Sequence, residues 1–326
     1  GFELVAHGDG LRAEITDFWA MVFNPSSMHR LNHVLLGSFL QGAFFVMSIS
    51  AFYVLRRRHA DLAKRAFTLA LAFAAVSSVA ILVSGHAQAV AVAANQPAKL
   101  AAFEGHFETG EGPADLYLFG WPDEEARTVR LGVAMPGMLT FLVHGDFETP
   151  VTGLDRIPDD EEPPIALPFL TYHVMVALGV GFIGLTLLAL FFRWRGTLFE
   201  QRWLLWVFVF AVVGPYIANQ AGWVATEVGR QPWIVYGLLR TADAVSTSVP
   251  ADQVLGSILL FGFAYLALFA LWLVVMNEKI KKGPEDPAEL PSQKERTEPE
   301  DLATAAARLS GPDTPYSLTH EREEPH

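Results

Sequence analysis

Three side chains in this sequence have the chemistry to hold a metal inside a hydrophobic helix: Glu227, His33 and Met175. Glu227 stands in Trp223-Val-Ala-Thr-Glu227-Val-Gly-Arg230-Gln-Pro-Trp233, near the end of an apolar run that Gly229 and Pro232 close. Trp223 and Glu227 are four apart and share a helix face. An acid at membrane depth calls for a positive partner, which a metal ion or Arg230 can supply. His33 lies about 12 Å along a helix that starts at Pro25, and Met175 about 10 Å along one that starts near Pro168. At matching depths, imidazole and thioether can face each other across a planar cofactor. His with Met is an axial pair for a low-spin haem iron, and the thioether raises its potential. Taken alone, Met175 also suits a core gap, and His29, one turn nearer the surface than His33, suits a solvated interface. His173, two residues before Met175, points elsewhere on its helix, where it can meet a haem edge or propionate.

These residues are carried by five apolar stretches, near 31–55, 66–85, 166–192, 203–228 and 253–276. Each is long enough to span a bilayer core of roughly 30 Å at about 1.5 Å per residue. Asn24 and Pro25 form an N-cap and a first helical position. The expected fold is an all-α, polytopic transmembrane bundle with five spanning helices and a long external loop. Basic residues orient it. Arg56, Arg57, Arg58, Lys64 and Arg65 crowd the first turn, Arg193, Arg195 and Arg202 the second, and Lys279, Lys281 and Lys282 follow the last helix. Those ends face the cytoplasm, as does the C-terminus. Residues 1–24, 86–165 and 229–252 are then external.

The chain has 326 residues, 52% of them hydrophobic, and no cysteine. That excludes disulfides, zinc-thiolate sites, cysteine-bound iron-sulfur clusters and covalently attached c-type haem. A net charge of −12 argues against a nucleic-acid partner. The chain opens at Gly1 without an initiator Met, and reads as part of a longer polypeptide. The 86–165 loop is far longer than a connection requires. Phe103, Phe107, Tyr117, Phe119, Trp121 and Phe141 favour a folded lid, with a turn at Gly120-Trp-Pro122. Its final part, with Asp155, Arg156 and Asp160, leads into the third helix, where an acid can take protons from a hydroquinone or simply be solvated. Residues 283–326 read as a disordered cytoplasmic tail, with a short helix at Asp301–Leu309.

Asn24-Pro25 leading to His33, Lys99-Leu-Ala-Ala-Phe-Glu-Gly-His106-Phe-Glu-Thr109, Val-Met175-Val, and Glu227 within Gly-Arg-Gln-Pro-Trp together resemble subunit I of cytochrome bd quinol oxidase, over residues 1 to about 282. The resemblance covers roughly the C-terminal two thirds of that subunit, with a short quinol loop. It implies that His33 and Met175 ligate a low-spin haem b and Glu227 a high-spin haem b. Trp223 would pack beside that haem, and Arg230 would neutralise propionates instead of pairing with Glu227. His173 stands where many members have Arg. The loop ending resembles a Gly-Leu-Lys pattern followed by Glu, with Asp155 at the Lys and Asp160 at the Glu, which marks Asp155, Arg156 and Asp160 as quinol-binding candidates.

What the resemblance implies further is a subunit of a bacterial inner-membrane quinol:oxygen oxidoreductase that separates charge without pumping. Electrons would pass from quinol through the two b haems to haem d, where oxygen becomes water. The haem d ligands would lie before Gly1, so the fragment alone should be inactive. Subunit II and a small single-helix subunit are the implied partners. The alternatives are another di-haem b membrane quinone oxidoreductase, and a non-catalytic scaffold or transport subunit in which Glu227 and Arg230 only pair with each other.

Overall fold

The computed structural model describes residues 1–7, 10–245 and 248–284; the helix expected at Asp301–Leu309 lies outside them. A hairpin of β1 (Phe2–His7) and β2 (Gly10–Ile15) and a one-turn helix α1 (Phe18–Val22) precede the first long helix, α2 (Pro25–Leu55). Its start is built as the residues require: Asn24 Oδ1 accepts from the amides of Ser26 and Ser27, both at 3.0 Å, and Pro25 occupies the first turn. A turn bearing Arg56, Arg57 and Arg58 leads to α3 (Ala60–Asn95).

At 36 residues, α3 runs about 54 Å and outlasts the apolar stretch on which its end was placed at 85. His86 and Gln88 interrupt the hydropathy, but the Ala-rich sequence after them propagates a helix. The connecting segment therefore begins with α4 (Pro97–Glu104), not at 86. It continues through β3 (Leu116–Asp123), β4 (Thr128–Met135) and α5 (Met138–His144). Gly120-Trp-Pro122 is strand and not turn: Trp121 pairs with Arg130 and Pro122 with Val129. A two-stranded ribbon has edges that tolerate the missing Pro N–H. The reversal comes after Asp123, whose Oδ1 accepts from the Ala126 amide at 2.9 Å.

The remaining elements are α6 (Ala166–Trp194), α7 (Arg202–Ala211), α8 (Val213–Val228), a small hairpin of β5 (Trp233–Val235) and β6 (Leu239–Arg240), and α9 (Ala251–Lys282). The three hairpins add strand to a fold that the sequence presents as all-helical. The span expected at 203–228 is two helices, because Pro215 withholds a backbone donor in its first turn. Near this break, Ser48 Oγ of α2 donates to the Val209 carbonyl at 2.7 Å.

Among the described residues, five helical spans are long and apolar enough to cross a membrane, with α7 and α8 counted together. The chain is a multi-pass membrane protein. Phe44, Phe67, Phe182 and Phe208 lock α2, α3, α6 and α7 together, with ring centroids 4.9 Å apart for Phe44–Phe182 and 5.0 Å for Phe67–Phe208. Side-chain interlocking of this kind, more than expulsion from water, holds helices together in lipid. This core fills the half of the bundle nearer the arginine turns. Two smaller clusters fold the connecting segment onto the other end: Leu100, Leu139 and Val143 form one, and Ala101, Phe107, Leu154 and Ile165 the second. The chain divides into two units, Gly1–Leu268 and the part from Phe269 on, with the boundary inside α9, none of whose residues is buried.

Candidate haem and quinol site

The depth of the site is set by glycines facing α8. A methyl on Gly37 of α2 would meet Asn219 Oδ1 at 2.8 Å, and Asn219 Nδ2 donates to Gln41 Oε1 at 2.8 Å, which fixes α2 against α8. From that level toward the end away from the arginines, His33 lies four residues, about 6 Å, along α2, and Gly222 three residues, about 4.5 Å, along α8. A methyl on Gly222 would strike Met175 Sδ at 2.5 Å, so Met175 of α6 reaches this level only because Gly222 has no side chain. His33 and Met175 thus share one level of the bundle. His33 Nδ1 is buried with no hydrogen-bond partner, and its ring packs near Gly85 of α3. A buried, unsatisfied imidazole nitrogen level with a thioether is a donor set that suits haem iron.

Glu227 ends α8 at the same end of the bundle. Glu227 Oε2 accepts a short hydrogen bond from Arg230 Nη2, one turn on, while Arg230 Nε is buried without a partner. Three residues apart at a helix end, the two side chains reach each other. Glu227 Oε1 accepts no hydrogen bond among the described residues and is the oxygen open to a metal. Trp223, one turn before Glu227, is 63% exposed.

Other expectations change more. His173 is engaged by backbone on both sides: Nδ1 lies 2.8 Å from the Phe169 carbonyl and Nε2 2.9 Å from the Tyr117 carbonyl, which ties β3 to α6. It serves as a fold contact. Asp155 Oδ1 accepts from Thr109 N at 2.8 Å and Thr109 Oγ1 at 2.7 Å. Slight burial pushes its carboxyl up, but the Thr109 bonds win and hold it below the usual range. Asp160 is bound by Arg240 at 2.6 Å, which lowers its carboxyl as well. Arg156 is exposed and sits 3.6 Å from Asp155. Surface acids already held by donors make poor proton acceptors. These three residues brace the connecting segment. Sequence spacing showed their charge but not their exposure.

The acid with the right surroundings is Glu104, at the end of α4. It is 1% exposed, and neither carboxylate oxygen has a hydrogen-bond partner. Burial pushes it up to about 7, and the Tyr172 hydroxyl only partly offsets this. Phe103 stacks on Tyr172 at 4.9 Å, one turn before Met175 on α6. On the other side of α4, Lys99 is 4% exposed and lowered to about 8, first by burial and then by the charges of Arg30 and Arg230, with Glu227 opposing. Gly229 allows this approach, since a methyl there would meet Phe103 at 2.7 Å and Lys99 Cγ at 3.4 Å. So α4 packs on α6 through Phe103 and Tyr172 and on the end of α8 at Gly229, with Glu104 near Tyr172 and Lys99 near the Glu227–Arg230 pair. The sequence signal was present: Lys99 and Glu104 interrupt an otherwise apolar, Ala-rich helix.

Residues 1–284 match the model of the family described as cytochrome bd terminal oxidase subunit I. The chain is 34% identical over 283 residues to a Bacillus subtilis protein named cytochrome bd ubiquinol oxidase subunit 1, covering 84% of this chain and 60% of that one. It is 35% identical over 289 residues to a putative cytochrome bd menaquinol oxidase subunit I of the same organism, covering 85% and 63%. The bd oxidase structure from Geobacillus thermodenitrificans superposes with a TM-score of 0.76 at 32% identity, covering 87% of this chain and 64% of that one. The chain thus spans about three fifths of the curated relatives' length. With the family model matched over residues 1–284 and relatives more than 30% identical, the chain belongs to the cytochrome bd terminal oxidase subunit I family, which implies haem cofactors.

Proposed function

We propose that the chain forms the quinol-oxidising part of subunit I of a bd-type quinol:oxygen oxidoreductase. The observation that carries this is Glu104: a buried carboxylate with no partner, placed beside the α6 turn that leads to Met175. Quinol oxidation releases two protons and two electrons, and needs a base close to an electron acceptor. Glu104, pushed up to about 7, takes a hydroxyl proton, and Lys99, on the other side of α4, adds a cation to the site. His33 and Met175 hold the low-spin haem b. Glu227 Oε1 would be offered to the high-spin haem b, with Trp223 beside that haem and Arg230 neutralising propionates. When bound, these groups would supply one-electron transfer toward haem d for reduction of oxygen to water.

The arginine turns face the cytoplasm of a bacterial inner membrane, so the protons leave on the opposite face and charge is separated without a pump. Subunit II and a small single-helix subunit complete the enzyme. The test is the reduced-minus-oxidised spectrum of the assembled oxidase. His33→Ala and Met175→Leu are expected to remove the low-spin haem b signature, and Glu227→Ala the high-spin one. A wild-type spectrum in any of the three overturns that ligand's assignment.

A further inference from the structure

A groove of about 630 Å³ runs between α6 and the α7–α8 pair, lined almost wholly by carbon from residues that include Gly181, Leu185, Trp203, Trp206 and Phe210. Gly214 presses on Phe182 at its upper end, whereas a side chain on Gly181 would enter open space. At its lower end, the rings of Phe192 and Trp203 meet in an edge contact with centroids 6.4 Å apart. There the chain reverses through Gly196, at φ +75°, and presents Arg193, Arg195 and Arg202. Arg202 is one turn before Trp206 and on its face. Arg195 is three residues beyond Phe192, and its guanidinium lies 5.8 Å from the Phe191 ring centroid. Among the described residues none of the three arginines is in an ion pair, and the single acid of this turn, the exposed Glu200, leaves them in excess.

An apolar slot that opens onto guanidinium groups and tryptophans at membrane-interface level has the chemistry of a phospholipid with a net negative headgroup. The volume lies in the roughly 300–1,000 Å³ range of ligand sites, well short of the roughly 2,000 Å³ that a spanning helix displaces. We propose that this groove is a binding site for one anionic phospholipid, with an acyl chain along Trp206 and Phe210 and its phosphate held by Arg195 and Arg202. None of these residues is among those assigned to the haem or quinol site.

The assembled oxidase, stripped with detergent and then equilibrated with vesicles of phosphatidylglycerol or of phosphatidylcholine, can be assayed for retained lipid by native mass spectrometry. Wild type is expected to retain phosphatidylglycerol and not phosphatidylcholine. The pair Arg195→Gln/Arg202→Gln is expected to lose it through the headgroup, and Gly181→Leu by filling the groove, each with an unchanged haem spectrum as the check on folding. Equal retention of both lipids, or full retention in the arginine variant, overturns the site. So does a photo-crosslinker at Trp206 that captures a protein segment instead of lipid.

Discussion

Replacing Glu104 with Gln tests the base and the cost of burying it in one variant. Burial raises its carboxyl from 4.5 to about 7, which at 1.36 kcal/mol per tenfold change makes ionisation in the folded protein about 3 kcal/mol harder than in the unfolded chain. Between those two values the folded protein binds more protons than the unfolded one. Its stability therefore falls as pH rises from 4.5 to about 7, and stays lower above that. Glu104→Gln keeps the shape and never ionises, so it removes this fall and exceeds wild type above pH 7 by up to about 3 kcal/mol. The same change deletes the proton acceptor. Quinol-dependent oxygen uptake by the assembled oxidase should drop by about 10²-fold or more, and the rise of wild-type activity through pH 7 should disappear. Haem spectra should be unchanged. If uptake in the variant keeps the wild-type pH profile, the proton goes elsewhere and the assignment fails. If its stability declines between pH 5 and 7 as in wild type, Glu104 is not the source of that decline.

Gly222→Ala places a methyl against Met175 Sδ, so the low-spin haem b should lose its thioether character and shift to a lower potential, while the haem at Glu227 is unaffected; redox titration followed by absorbance checks both. Lys99 is lowered to about 8, so wild-type stability should rise with pH from about 8 to 10.5 as the unfolded chain alone holds the proton. Lys99→Gln should flatten that rise in denaturation curves and raise KM for quinol. Asp160→Asn breaks only an exposed pair with Arg240, and steady-state assays should show kcat and KM close to wild type. A large loss there would return Asp160 to the quinol site.

Much of this protein is determined by its sequence alone. The five spans follow from the length of the apolar runs, since twenty or so such residues have no other common use. The start of α2 follows from Asn24-Pro25, and the matching depths of His33 and Met175 follow from counting residues along helices. Local rules carry those readings. Only the tertiary structure decided which acid is usable. Asp155, Asp160 and Glu104 are alike as carboxylic acids, and what separates them is that Thr109 and Arg240, distant in sequence, satisfy the first two, while packing around α4 removes water from the third and leaves it near the Tyr172 hydroxyl alone. The same holds for His173, claimed by the Tyr117 carbonyl from a strand 56 residues away, and for Met175, whose place depends on a glycine 47 residues further on. Burial and partnership are sums over elements that meet only in the folded bundle, and no periodicity along the chain encodes them.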